Sequence, residues 1–71
     1  MAKYEFAVYN AEVRKLVAEG KQHHRLTSDW ADMQYIEISA INEDQARSKF
    51  EEIHPSTEGF VVDGVMETSG V

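Results

Sequence analysis

The chain has 71 residues, no cysteine, and an excess of acidic side chains that gives a formal net charge of −6. This size allows one small domain with no deep cleft, and the lack of cysteine excludes disulfides, thiolate metal sites and thiol nucleophiles. Residues 1–27 carry +2 and residues 28–71 carry −8, so we expect the chain to repel nucleic acid and membrane phosphates and to attract basic partners.

The first 20 residues predict a strand followed by a short helix. Residues 3–9 alternate, with Tyr4, Phe6 and Val8 on one face, and this period of two is typical of a half-buried strand. Asn10 is a favourable N-cap for a helix over residues 11–19, and Gly20 is a favourable terminator. The apolar residues at helical spacing within it are Val13, Leu16 and Val17.

Residues 21–32 have neither a sustained helical period nor a sustained strand period. They predict either a loop with one helical turn capped by Ser28 or Asp29, or an additional strand over residues 21–26. Residues 33–40 alternate again and predict the second strand. Its nearly apolar face comprises Gln34, Ile36, Ile38 and Ala40.

The strongest local signal is the start of a second helix. Asn42 is its predicted N-cap, Gln45 can reach back to this cap, and Ile41 can pack against Ala46. His54 precedes Pro55 and is expected to end the helix. The predicted apolar stripe comprises Ala46, Phe50 and Ile53.

The remaining chain predicts a turn over residues 55–59 and a last strand over residues 60–67. In regular alternation, Phe60 and Val62 share one face with Gly64 and Met66, while Val65 lies on the other. Residues 68–71 are expected to be a frayed tail, so one α+β domain spans residues 1–67.

This order, β-α-β-α-β, predicts two helices packed on one face of a three-stranded sheet. The alternative follows if residues 21–26 form a strand. The order would then be β-α-β-β-α-β, the ferredoxin-like arrangement.

No catalytic or metal-binding pattern stands out. His23 and His24 are adjacent and would point in divergent directions, and no H-x3-H spacing brings two ligands to one face. The carboxylate pairs lack the depth that would desolvate one member, and no glycine-rich phosphate loop is present. We therefore expect no enzyme activity, no catalytic residues, no metal site and no cofactor.

Aromatic side chains on the predicted strands suggest a comparison with sheets that stack single-stranded bases. Such sheets need flanking lysine and arginine, whereas these strands offer Lys3 alone among several carboxylates. We expect no direct nucleic-acid binding. Trp30, the only tryptophan, lies between acids in SDWAD and predicts either a lid over one end of the core or an exposed interface anchor.

The segments KYEFAVYNAEVR, HHRLTSDWAD, QYIEISA and GFVV resemble a group of small uncharacterised bacterial and prophage proteins. In size, charge and element order the chain also resembles acidic, single-domain anti-CRISPR proteins. Several of those proteins cover the DNA-binding surface of a CRISPR complex. This resemblance implies a phage-type inhibitor that binds a basic protein surface.

Charge and resemblance together predict a non-enzymatic binding module that acts in the bacterial cytoplasm. Its partner would be a basic protein surface, such as the DNA-binding face of a CRISPR effector complex, with no direct nucleic-acid or membrane contact. The alternative is a bacterial housekeeping protein that acts as a homodimeric interaction module. The residues predicted to contact the partner are Asp29, Trp30, Asp32, Glu43, Asp44, Glu51 and Glu52.

Overall fold

The structure, a computed structural model, describes residues 1–68 and confirms the predicted α+β fold with its β-α-β-α-β order. The helices are α1 (Ala11–Ala18) and α2 (Glu43–Ile53). Both outer strands run antiparallel to the central strand and hence parallel to each other, so α2 crosses over the central strand. The sheet order is β2-β1-β3, with strands β1 (Ala2–Asn10), β2 (Gln34–Ala40) and β3 (Phe60–Thr68).

The segment between α1 and β2 contains no strand, so the ferredoxin-like alternative is wrong. The chain bends through residues 24–26 and then forms one short 3-10 helix, Ser28–Ala31, which we call the 28–31 turn. The predicted cap at Ser28 or Asp29 is also wrong, because Thr27 precedes the turn and no side chain caps it. A second 3-10 turn, Ser56–Glu58, precedes β3.

Asn10 joins the end of β1 to two other segments. It is fully buried, its Oδ1 accepts the Val13 N–H at 3.0 Å, and its Nδ2 donates to the Glu58 carbonyl at 3.0 Å. The first bond is the predicted N-cap of α1. Gly59 follows with φ of 95°, and a Cβ there would lie 2.7 Å from Asn10 Oδ1, so both its backbone conformation and its surroundings require glycine.

The start of α2 differs in detail from the prediction. Asn42 Oδ1 accepts the Gln45 N–H at 2.8 Å, as expected for an N-cap. Gln45 Oε1 accepts the N–H of Ile41 rather than that of Asn42, also at 2.8 Å. Ile41 is 67% exposed, so the predicted apolar staple is not a buried contact.

The core lies between the sheet and α2. Tyr4, Phe6 and Val8 are buried on β1, and the Phe6 ring stacks on Phe50 of α2 with centroids 4.8 Å apart. The predicted core faces of β1 and β2 are confirmed. α1 lies mainly against the 28–31 turn, and Val13 is its buried residue.

The predicted stripe of α2 is wrong at its last position. Ile53 is 61% exposed, whereas His54 contacts Phe50 and Phe60 at centroid distances of 5.3 and 4.9 Å. His54 lies four residues after Phe50, so it continues the same face of the helix beyond the final turn. An imidazole therefore extends the apolar stripe.

A β-bulge in β3 overturns the predicted alternation of that strand. Val62 pairs with Val8 and Gly64 pairs with Ala7, which leaves Asp63 without a partner on β1. The extra residue reverses the phase of everything after it. Val65 consequently pairs with Phe6 and packs against the core, and Met66 is 60% exposed on the other face.

The strand also runs one residue beyond its predicted end. Thr68, which was expected to begin a frayed tail, pairs with Lys3 and belongs to β3. The rest of that predicted tail, residues 69–71, lies outside the described residues.

Candidate functional site

The acidic residues of α2 lie on its solvent side, away from Ala46 and Phe50. Glu43, Asp44, Glu51 and Glu52 are all exposed, as expected for a surface that binds a partner. An 11-residue helix is about 16 Å long, so these carboxylates are spread along it rather than gathered at one point. Reversing their charge would therefore not disturb the core directly.

Two of these four carboxylates are engaged within the molecule. Glu43 Oε2 accepts from Arg47 Nε at 2.9 Å, one helical turn away. Glu51 Oε1 accepts from both the backbone N–H and the hydroxyl of Ser56, at 3.0 and 2.9 Å. These two donors lower the pKa of Glu51 below its ordinary value of 4.5, despite some desolvation. Asp44 and Glu52 have no hydrogen-bond or ion-pair partner among residues 1–68.

The 28–31 turn brings the other predicted residues to the carboxyl end of α2. Trp30 is half-buried, with its ring centroid 5.4 Å from that of His54 and 5.1 Å from that of Phe60. Of the two readings of Trp30, the lid over the core is therefore the one that the structure supports. Asp29 and Asp32 flank this lid and are exposed.

The seven predicted residues thus form a band and not a pocket. Asp29, Trp30 and Asp32 lie beside the carboxyl end of α2, and Glu43 and Asp44 lie at its amino end. Four of these seven residues have an exposed carboxylate without an intramolecular partner among residues 1–68. We call these four residues the acidic band. They are Asp29, Asp32, Asp44 and Glu52.

Most of the basic side chains are held within the molecule. Lys3, Lys21, Arg25 and Arg47 each pair with a carboxylate at 2.9 to 3.7 Å. Arg14 and Lys49 donate to the carbonyls of Ala31 and Ser39. Among residues 1–68, Lys15 is the one lysine or arginine without such a contact. The carbonyl contacts leave the positive charges of Arg14 and Lys49 in place, and Arg14 lies against the 28–31 turn at one end of the acidic band.

Glu67 of β3 adds further negative charge close to α2. Tyr4 is buried, and its pKa lies above the ordinary value of 10.0 because of burial first and the nearby Glu67 and Glu43 carboxylates second. No sequence pattern indicates that Glu67 and Glu43 act on the same tyrosine. They are 24 residues apart in the chain, and both act on Tyr4 because β3 pairs with β1 and α2 packs against the sheet.

His23 organises the irregular segment between α1 and the 28–31 turn. Its side chain is 5% exposed, and its Nδ1 accepts the N–H groups of Arg25 and Leu26 at 3.0 and 3.1 Å. The ring proton must then be on Nε2, which donates to Glu12 at 2.7 Å. Both nitrogens are engaged, so His23 holds the loop together and is not available as a base or a ligand.

A shallow depression of 160 Å³ lies beside His23, and its lining includes His24, Thr57 and Glu58.

Within residues 1–68, no group of three histidine, aspartate or glutamate side chains is arranged to hold a metal ion. Neither helix of that part of the chain is long and apolar enough to cross a membrane.

In comparisons with known proteins, no protein-family model, no curated protein and no solved structure matches this chain. The resemblance to small bacterial and prophage proteins and to anti-CRISPR proteins accordingly stays a prediction.

Proposed function

We propose that this protein is a non-enzymatic binding module whose acidic band covers a basic protein surface that normally holds nucleic acid. An anti-CRISPR-like inhibitor of a bacterial nucleoprotein complex would act in this way. One observation carries the proposal. Four of the seven lysine and arginine side chains pair with carboxylates outside the acidic band, whereas the carboxylates of the acidic band are exposed and have no ion-pair partner among residues 1–68.

Such a contact would use the same chemistry as phosphate binding. Arginine and lysine that bind phosphate also bind carboxylate, through the same charge-assisted hydrogen bonds. Asp44 and Glu52 are about 12 Å apart along one helix, so their backbone needs no ordering when they bind. The net charge of −6 adds long-range attraction, which speeds encounter with a basic partner.

The proposal is tested by affinity capture from a bacterial lysate, comparing the parent protein with the double variant Asp44→Lys/Glu52→Lys. Both positions are exposed and lack intramolecular partners among residues 1–68, so this variant should fold. We expect the parent to capture a basic nucleic-acid-binding protein and to compete with DNA for it. We expect the variant to lose at least tenfold in affinity, a cost of about 1.4 kcal/mol or more.

A charge-matched control separates a local contact from a general effect of net charge. Glu19→Lys/Asp63→Lys makes the same change in net charge at two exposed residues outside α2, one that follows α1 and one in β3. This control should retain most of the affinity at about 0.15 M salt, where charges more than roughly 8 Å apart are largely screened. Equal loss in both variants, or no loss in either, would show that the acidic band is not the contact surface.

A further inference from the structure

The face of the sheet that is turned away from α2 is uncovered among residues 1–68. Its centre is the row formed by Ala7 with its register partners Tyr35 and Gly64. Tyr35 is 66% exposed, and a Cβ added at Gly64 would have no atom within 4 Å. We call this surface the open face. Its centre is uncharged, and two of its three central residues are small.

The two ends of the open face carry opposite charge. At one end the Arg14 guanidinium lies 3.7 Å from the centroid of the Tyr9 ring. At the other end Glu5 lies directly opposite Glu37 on the neighbouring strand, a like-charge pair that disfavours the sheet. Lys3 pairs with Glu37 at 3.7 Å, but half-buried Glu5 has no cationic partner among residues 1–68. A cation from outside would relieve this repulsion.

We propose that the open face binds a second copy of this chain, across a two-fold axis that runs between the two sheets, perpendicular to β1 and level with Ala7. This axis reverses β1, so Arg14 of each copy meets Glu5 of the other. Met66 pairs with Glu5 and Val61 pairs with Tyr9 in the sheet. The same axis therefore places Met66 of each copy over Val61 of the other. The small residues at the centre allow the sheets to approach to about 10 Å.

Edge pairing of β2 is a poorer route to the same dimer. Lys49 Nζ donates to the Ser39 carbonyl at 2.8 Å, so a lysine already engages a carbonyl of this outer strand, in the manner that discourages edge-to-edge association. The open face has no comparable cover among residues 1–68.

The open face is small for a dimer interface. The three strands have nine, seven and nine residues and lie about 4.8 Å apart, so they cover about 400 Å², roughly half of the 800 Å² per partner in a standard interface. The dimer should therefore be reversible. We expect the monomer to associate over the range from about 10 µM to 1 mM, at about 0.15 M salt so that the like net charges of the copies are screened.

Sedimentation velocity across that range tests the proposal with a matched pair of variants. Gly64→Lys meets open space in the monomer and has no positive φ to strain it, but it places two lysines against each other at the axis. Ile53→Lys alters an exposed apolar residue of α2 instead. We expect Gly64→Lys to weaken association about tenfold or more, and Ile53→Lys to leave it unchanged.

A mixing experiment identifies the symmetry. Glu5→Arg and Arg14→Glu should each weaken self-association, because like charges then meet twice across the axis. An equimolar mixture should associate as tightly as the parent, since one contact is native and the other is reversed but attractive. Circular dichroism confirms that each variant is folded. A parent that stays monomeric, a dimer that Gly64→Lys leaves intact, or a mixture no tighter than its components would each overturn the proposal, which is independent of the proposed function.

Discussion

At the scale of single residues, His54 couples the stability of the core to pH. The ring lies between Trp30, Phe50 and Phe60, and this burial lowers its pKa below the ordinary value of 6.5. The unfolded chain therefore binds more protons than the folded protein between the folded pKa and 6.5. His54 should destabilise the protein as pH falls through that window.

We predict that His54→Phe will remove this part of the acid sensitivity. Phenylalanine cannot take up a proton and suits the aromatic surroundings of the site. Urea unfolding between pH 7.5 and 5 should show a smaller loss of stability in the variant, with a difference in slope of at most about 1.4 kcal/mol per pH unit. The exposed His24, changed to glutamine, is the control. Parallel pH profiles for His54→Phe and the parent would contradict the prediction.

Residues that act within a few positions of their own backbone were predictable. Asn10 and Asn42 cap helices through the N–H three residues later, and Gly20 ends α1 with φ of 73°. His54 was not predictable in the same way. Its aromatic contacts come from the 28–31 turn and β3, and hydropathy alone favours Ile53 over histidine for the buried position.

At the scale of elements, the bulge in β3 decides which side chains reach the core. Asp63 is the unpaired residue. Without Asp63, the Val62–Val8 pair and the Gly64–Ala7 pair would be neighbouring pairs of a regular strand ladder. The sequence offered no local mark for the extra residue. Alternation read along a single strand gave the wrong face for Val65, because only the pairing with β1 shows where the phase reverses.

We predict that deleting Asp63 will preserve the fold, with a change in the free energy of unfolding within about 1 kcal/mol. The deletion keeps every existing β1–β3 pair and turns the bulge into regular strand. Deleting Val61 is the control, since it moves buried Phe60 to the opposite face and should cost several kcal/mol. Chemical denaturation measures both. Two deletions of equal cost would show that Asp63 is not a simple insertion.

At the scale of the whole molecule, the protein is elongated, and the two sides of its sheet differ in character. The radius of gyration is 13.2 Å and the extents are 43 × 20 × 15 Å, whereas a compact chain of this length has a radius of gyration of about 11 Å. Asp44 and Glu52 lie on α2, and the open face lies on the other side of the sheet. The sequence predicted the sign of the charge and the positions of its carriers. It could not predict which acids are already engaged, because those pairings depend on the folded arrangement.

The charge of the whole molecule argues against any direct role on nucleic acid. The open face carries Tyr9 and Tyr35, as a base-stacking sheet would, but Glu5 and Glu37 lie beside them and Lys3 is paired. Phosphate binding needs free lysine and arginine, because affinity comes from the release of counterions by each neutralised phosphate.

We predict that the isolated protein will bind neither duplex nor single-stranded DNA. Fluorescence anisotropy at about 0.15 M salt should show no saturable change up to high micromolar protein, and lower salt should not rescue binding, since a longer Debye length strengthens the repulsion from a net charge of −6. Glu5→Lys/Glu37→Lys is an instructive comparison, because it removes the two carboxylates next to the tyrosines. Micromolar binding by the parent, weakening as salt rises, would mean that the open face stacks bases despite its carboxylates, and the acidic band would then no longer explain what the molecule recognises.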